Sequence, residues 1–500
     1  MKKLWNNIKL ATALVFNRFE AVVYRWGERS WLGQSYQDAR LDVDSASRKE
    51  LQRRHRYWVV NSPIVNWIRS LFIQFSVGIE GLKVTPNSAD EAWNVSRQTS
   101  WDAWCRAPEI TSRLNLGQVC IQWAGALFDD GEIFVHKISD RGMPKIESIE
   151  AHRVETPLDK RTEEGKTIFD GISVDSNGLP VVYWVRDAFD QHAYTAIPAK
   201  EIIHIFKARR PGQMRGIPEG FSGMNTLHDY EDLQMLEMQA AKLASAIGNV
   251  ETNPTGEIDI NATRRSRLSI SSTNAAGGLV MKNADQFYKV TLGSQHIALK
   301  AGDSLKQFQV DRPSVSQQMH WDILLNSICC SYCVPKLLVV PYSVQGTEIR
   351  AVLDTYAYSS RINFELVAIA LRDIYEWQTR WAVQFDRTMD GTKPQNFLDS
   401  IIRPPRAPNV DIGYTAQARQ LELQAGTMTI QDIYAERQQD WRQQMRQIAE
   451  TRAYVKQLAK EFKIEPYEIS QIINIKLTAE PGAEEPQPAK QDQKPEPKTA

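Results

Sequence analysis

The spacing of the apolar residues changes twice along this chain, and that constrains the fold more than any single motif. From Ser47 to about residue 128 apolar side chains recur every three or four residues, the spacing of one helix face. Ile64, Ile68, Leu71, Phe72 and Phe75 form one such stripe, and Leu116, Val119, Trp123 and Leu127 another, on a helix expected over 112–128. From about 132 to 207 the pattern shortens to that of strands. The candidates are 133–135, 146–149, 171–174, 181–185 and 202–206, punctuated by Gly142, Asn177-Gly178 and Pro198. Asn-Gly is a strong hairpin signal. Helical spacing returns with Phe221, Met224, Leu227, Leu236, Ala240, Leu243 and Ile247. These predict a helix of about 27 residues and ~40 Å, with Ser222 as its N-cap. Helices, a β-rich module and a long helix in that order make an α+β chain.

Elsewhere the reading is coarser. At roughly 150 residues per domain, 500 residues suggest about three folded units. With 42% hydrophobic and 24% charged residues, the balance is that of a soluble globular protein. No run of ~18 apolar residues exists to span a bilayer. Residues 1–46 carry Trp5, Tyr24, Trp26 and Trp31 without a clean period, and read as a loosely held arm. Two lysines precede a short apolar stretch there, but Asn17-Arg18-Phe19-Glu20 offers no small-residue cleavage site, so secretion is not expected. Pro63 should open the second of two helices within 47–79. Trp101 and Trp104, one helix turn apart, should pack in the core. Helices are expected at 314–333 and 345–385, interrupted by Val334-Pro335 and Val340-Pro341. Arg403-Pro-Pro-Arg406 reads as a linker, and Thr415 to about 476 as helical. The five prolines after Ala479 mark a disordered tail.

The chemistry-bearing residues are sparse. Lys+Arg and Asp+Glu number 60 each, which gives no support for a tight nucleic-acid binder. Arg53-Arg54-His55-Arg56 reads as a solvated or interface face in preference to a phosphate clamp. Five cysteines are too few and odd in number for a disulfide scaffold, so a reducing compartment is expected. Cys330-Ser-Tyr-Cys333, with Cys329 adjoining, lacks the second ligand pair a zinc site wants, His320 being the one neighbouring histidine; buried structural cysteines are expected. Asp129, Asp130 and Glu132 could serve a metal-dependent nuclease, but Asp-Asp-Gly also makes an ordinary turn, which is preferred. His204, between Ile203 and Ile205, has no nucleophile paired with it by sequence and reads as packed. The loop Arg209-Arg210-Pro211-Gly212-Gln213-Met214-Arg215-Gly216 does not have P-loop spacing. Nothing here calls for a cofactor, a metal or a catalytic residue.

Five stretches in this order resemble the lambda-type portal family of tailed bacteriophages. They are Arg53-Arg54-His55-Arg56…Asn61-Ser62-Pro63 with the helix ending Val77-Gly78-Ile79-Glu80-Gly81; Asp130-Gly131-Glu132-Ile133-Phe134-Val135; Gly171-Ile172-Ser173-Val174-Asp175…Gly178-Leu179-Pro180…Tyr183-Trp184 leading to Ile197-Pro198…His204; Arg210-Pro211-Gly212-Gln213-Met214-Arg215-Gly216-Ile217-Pro218; and Leu299-Lys300-Ala301-Gly302-Asp303 with Cys333-Val334-Pro335-Lys336-Leu337-Leu338. Together they span about 53–360.

The resemblance implies a non-catalytic ring, usually of twelve subunits, at one capsid vertex of the virion, assembled in the host cytoplasm. Double-stranded DNA would be packaged and ejected through it. The terminase large subunit, the head-tail adaptor and the major capsid and scaffold proteins would be its partners, with no membrane. By analogy, 1–46 is an N-terminal arm, 47–111 the first part of the wing, 112–131 a stem helix and 132–207 a clip-like β module. A second stem helix would lie in 208–248 and the rest of the wing, with a tunnel-facing loop, in 249–400. Residues 401–412 would be a linker, 413–476 a helical crown and 477–500 a disordered Pro-rich tail. Arg264, Arg265, Arg267, Lys282, Lys289, Lys300 and Lys306 are the DNA-channel candidates. Twelve stem helices ~10 Å apart lie on a circle about 39 Å across and leave roughly 28 Å clear. A duplex passes, and a near-neutral wall avoids summing many phosphate contacts. Six helices would leave only about 10 Å.

Overall fold

The structure, a computed structural model, describes residues 38–163, 167–190, 192–252, 295–299, 315–341, 346–386, 393–405, 412–436 and 441–462. Within the expected arm, a short helix α1 (Ala39–Asp42) already forms. Helix α2 (Ser45–Asn61) starts where Asp44 accepts the Ser47 N–H at 3.2 Å. Pro63 opens α3 (Pro63–Ser76), at the position where a missing N–H costs nothing. Helix α4 (Glu91–Cys105) is capped by Asp90. Helix α5 (Leu116–Asp129) begins four residues later than the periodicity suggests. Asn115 and Gln118 cap it reciprocally, side chain to backbone, at 2.9 and 3.0 Å, and that box fixes the first turn.

The β-rich interval is two sheets. In the first, β2 (Glu132–Asp140) lies between β3 (Met143–Ile149) and β8 (Ile202–Phe206), antiparallel to both, with Phe134 opposite Ile149 and His204. The second has the order β4 (Ile168–Phe169), β5 (Ile172–Val174), β6 (Pro180–Arg186), β7 (Tyr194–Pro198). The sequence reading omits β4 and β7, which are short or carry few apolar residues. Asn177-Gly178 does turn the β5–β6 hairpin, with Gly178 at φ +85°. Alternation along the strands sorts the side chains into layers. Phe134, Ile149 and Ile202 face Ile172, Tyr183, Val185 and Ile197 of the second sheet. Ile133, Val135, Ile146 and Ile205 face a larger core with the helices. Trp101 and Trp104 stack in that core at 4.9 Å between centroids.

A single 3-10 turn, Phe221–Gly223, precedes α6 (Met224–Ala246), so Ser222 is not its N-cap. Its 23 residues give about 35 Å, shorter than expected, because the chain turns to strand β9 (Ile247–Thr252), paired in parallel with β10 (Gln295–Leu299). Helix α6 packs on α7 (Val315–Ser331). Gly223 abuts Ser331 at one end, and Gln317 Nε2 donates to Glu237 at 2.6 Å further along, so the two helices run antiparallel. Helix α5 sits elsewhere, buried against α2, α3 and β2.

Short α8 (Lys336–Val339), α9 (Gly346–Ser359) and α10 (Arg361–Phe385) follow, and α10 packs on α3, α5 and β8. Strand β11 (Ser400–Ile402), just before the proline pair, joins β1 (Val84–Pro86). The chain divides into two compact units, 1–412 and 413–500. In the second, α11 (Ile412–Ala425), α12 (Ile430–Glu436) and α13 (Trp441–Phe462) are described, and α12 packs on α13. Among the described residues no helix is long and apolar enough to cross a membrane.

Candidate functional site

The α5–β2 corner brings together residues from four of the quoted stretches. Asp130 caps α5, Gly131 turns at φ +82°, and Glu132 begins β2. The turn is crossed at van der Waals contact by the segment from Arg215 to Ile217. A Cβ on Gly131 would lie 2.1 Å from the Ile217 backbone, and one on Gly216 would lie 2.2 Å from the Gly131 carbonyl oxygen. Only glycine permits both the backbone angle at 131 and this approach.

The three carboxylates of the corner do not converge on a common point. Asp129 takes a bidentate pair from Arg69 at 2.7 and 2.8 Å. Asp130 takes one from Arg56 at 2.6 and 2.5 Å. Glu132, fully buried, accepts from Arg215 Nε at 3.0 Å and Nη2 at 2.7 Å, from the Gly216 N–H at 2.8 Å and from His204 at 3.0 Å. Arg48 Nη1 stands 3.7 Å away. Arg48 in turn bonds Asp170 at 2.5 Å and Gln52 at 2.9 Å, and Gln52 reaches the Asp130 carbonyl oxygen at 3.0 Å. Arg215 also donates to the carbonyl oxygens of Ala151, Val154 and Asp170. Two arginines and two carboxylates, Arg48, Arg215, Glu132 and Asp170, thus balance inside the protein. A buried charge is tolerated only when paired and hydrogen-bonded in this way.

The electrostatics follow. Burial by itself raises a carboxyl pKa, but Arg215, the His204 hydrogen bond and Arg48 outweigh it and hold Glu132 well below the usual range. Against the same burial, Arg215 and Arg48 hold Asp170 low. His204 is stacked between Phe134 and Phe206, each at 4.2 Å, and burial pushes its pKa down against the pull of Glu132. A carboxylate only accepts, so the neutral ring donates from Nε2. His55 is also buried and lowered by desolvation. Its Nδ1 donates to the Asp129 carbonyl oxygen at 2.9 Å, which leaves Nε2 to accept from the Tyr332 hydroxyl at 3.1 Å.

Several expectations change here. The basic run is not one solvated face: Arg53 is exposed, Arg54 and Arg56 are half-buried and His55 is buried. The turn reading of Asp129-Asp130-Gly131 fits, as does packed His204. Among the described residues no group of three His, Cys, Asp or Glu side chains is placed to hold a metal. Cys329 is buried, but Cys330 and Cys333 are exposed, against the expectation of buried cysteines. They end α7: the Cys333 N–H bonds Cys330, the Val334 N–H bonds Cys329, and Cys333 takes φ +55° where glycine usually sits. Arg264, Arg265, Arg267, Lys282, Lys289, Lys300 and Lys306 lie outside the described residues. Sequence reasoning missed Arg48, Gln52, Arg69 and Asp170. One signal was available for two of them: Arg48, Leu51, Gln52 and His55 share the helical spacing of the buried face of α2.

The family model described as phage portal protein, lambda family, matches residues 28–340. A probable portal protein of Halomonas phage phiHAP-1 is 25% identical over 234 residues, which is 43% of this chain and 45% of that protein. The chain thus matches less than half the length of this curated relative. The solved neck of an empty gene transfer agent particle, computed with C6 symmetry, aligns at 12% identity and TM-score 0.45, over 76% of this chain and 89% of that one. The neck of the native particle, computed with C12 symmetry, aligns at 12% identity and TM-score 0.42, over 79% and 93%.

Proposed function

We propose a portal function from one premise: the chain belongs to the lambda family of phage portal proteins. Copies of it form a ring at one capsid vertex of the virion, and double-stranded DNA passes through the ring during packaging and ejection. The terminase motor docks on the ring first and the head-tail adaptor later, with capsid and scaffold proteins around it during assembly in the host cytoplasm. The role is that of a conduit without chemistry of its own. Asp129, Asp130 and Glu132 are each held by their own arginine, which favours this over the nuclease alternative.

The observation that carries the ring is the α6–α7 pair. Met235, Leu236, Met238, Met319 and Ile323 are all more than half exposed, while Glu237 is buried against Gln317. This is the reverse of the pattern of a helix pair complete in a monomer. A neighbouring subunit would cover such a ridge. We therefore keep α6 as a stem helix, give the other stem role to α7 in place of α5, and give the clip role to 247–314 between them in place of 132–207. The basic channel candidates fall in that intervening segment. Native mass spectrometry and negative-stain imaging test the ring. Twelve copies of 57.0 kDa should give particles near 0.7 MDa with a central hole. A chain that stays monomeric even with its scaffold present overturns the proposal.

A further inference from the structure

A second surface, which meets the apolar ridge only at Met235, carries an inference whose test does not require the ring. Helices α2 and α6 line a groove of about 640 Å³. Tyr57 and Trp58 of α2 face Met224 and Met235 of α6 across it. Tyr57 and Met235 are both more than half exposed, whereas Trp58 and Met224 are buried. The two rims differ in charge. On α2, Arg53 and Arg54 share Glu50, at 2.8 and 2.7 Å. On α6, Asp232 pairs with His228 at 3.2 Å, and Glu231 lines the groove beside it. The groove therefore offers aromatic and thioether surface beside a carboxylate pair. The chemistry it fits is an aromatic-rich segment carrying excess basic charge.

We infer that this groove receives the chain's own N-terminal segment, residues 1–37. That segment has six Lys and Arg against two Glu, and seven aromatic residues including Trp5, Trp26 and Trp31. Its charge complements Glu231 and Asp232, with Glu20 and Glu28 available to the α2 arginines. So many aromatic side chains gain most from a site that removes them from water. The connection is short. The described chain starts at Asp38, and from Asp44 at the head of α2 to Arg54 is ten residues of helix, about 15 Å. Thirty-seven extended residues span up to ~120 Å, so the reach is ample within one copy or onto the next.

Zero-length carbodiimide coupling of the full-length protein, mapped by mass spectrometry, tests this. Lys137–Asp373 and Lys336–Asp322, at 3.1 and 2.9 Å, serve as internal positive controls. The expected result is a join from Lys2, Lys3 or Lys9 to Glu231 or Asp232. It should disappear in the Glu231→Gln/Asp232→Asn protein while the control joins persist. Both substitutions are on the surface and keep side-chain size, so folding is preserved. If the control joins form but no lysine of 1–37 reaches either carboxylate, the inference is wrong. A join from a lysine outside 1–37 to Glu231 or Asp232, with none from within it, assigns the groove to another part of the chain, in the same copy or a second, and equally overturns it.

Discussion

The α5–β2 corner and the outer half of the α6–α7 pair break the ordinary inside-outside rule in opposite directions. The corner buries two arginines, Arg48 and Arg215, and three carboxylates, Asp130, Glu132 and Asp170. The helix pair leaves five large apolar side chains in solvent. The corner is tolerable because every charge finds its partner within the same chain, so it is complete in one copy. The helix pair has no such internal partner for its apolar ridge among the described residues. One region is thus a joint complete in a single copy, and the other is the surface that the proposed ring would cover.

The largest effect should come from breaking the joint. Glu132→Ala leaves Arg48 and Arg215 with one carboxylate between them, and removal of one partner from a buried pair costs about 3–5 kcal/mol. Urea unfolding of the first unit should show it as a lower midpoint, and a midpoint unchanged from the parent would mean that the corner is not what holds these elements together.

Acid should act on the same joint more gently. The folded pKa values of His55 and His204 lie below the unfolded value of about 6.5. The unfolded chain then binds protons that the folded chain does not, so stability falls as pH drops below about 6.5. Glu132 and Asp170 are depressed, and their contribution is present above the unfolded carboxylate range and lost as pH falls through and below it. Urea midpoints should stay level from pH 8 to about 7, decline below that, and fall more steeply toward pH 4. A plateau between pH 7 and 5 would sink the assignment of two buried neutral histidines.

The smallest effect on folding should come from the ridge. Leu236→Ser on an exposed site should change stability by no more than about 0.5 kcal/mol, while the proportion of protein in assembled particles falls. If stability drops by as much as in Glu132→Ala, the ridge is part of the subunit's own core and the contrast between the two regions disappears.

Much of the corner was legible residue by residue and illegible as a site. Arg56, Asp130, Glu132, His204, Arg215 and Gly216 all stand in the quoted stretches, yet nothing in spacing says that residues 48, 132, 170 and 215 meet. That meeting depends on strand pairing across 70 residues and on the approach of Gly216 to Gly131. The error over Arg53-Arg54-His55-Arg56 has the same origin. Four polar residues on one helix look solvated until a partner element decides which of them faces inward.

Local energetics is what the sequence determined. Where the longer helices and most strands of 132–207 lie, that Pro63 begins a helix, that Asn177-Gly178 turns a hairpin and that Trp101 and Trp104 are core follow from backbone preference and apolar period within a few residues. The tertiary structure alone decided which helix pairs with which, that α6 goes with α7 and not with α5, and that charges at the corner are buried at all. Those outcomes turn on interactions between residues far apart in the chain. Their strength depends on burial and partner geometry, and neither is written in a local pattern.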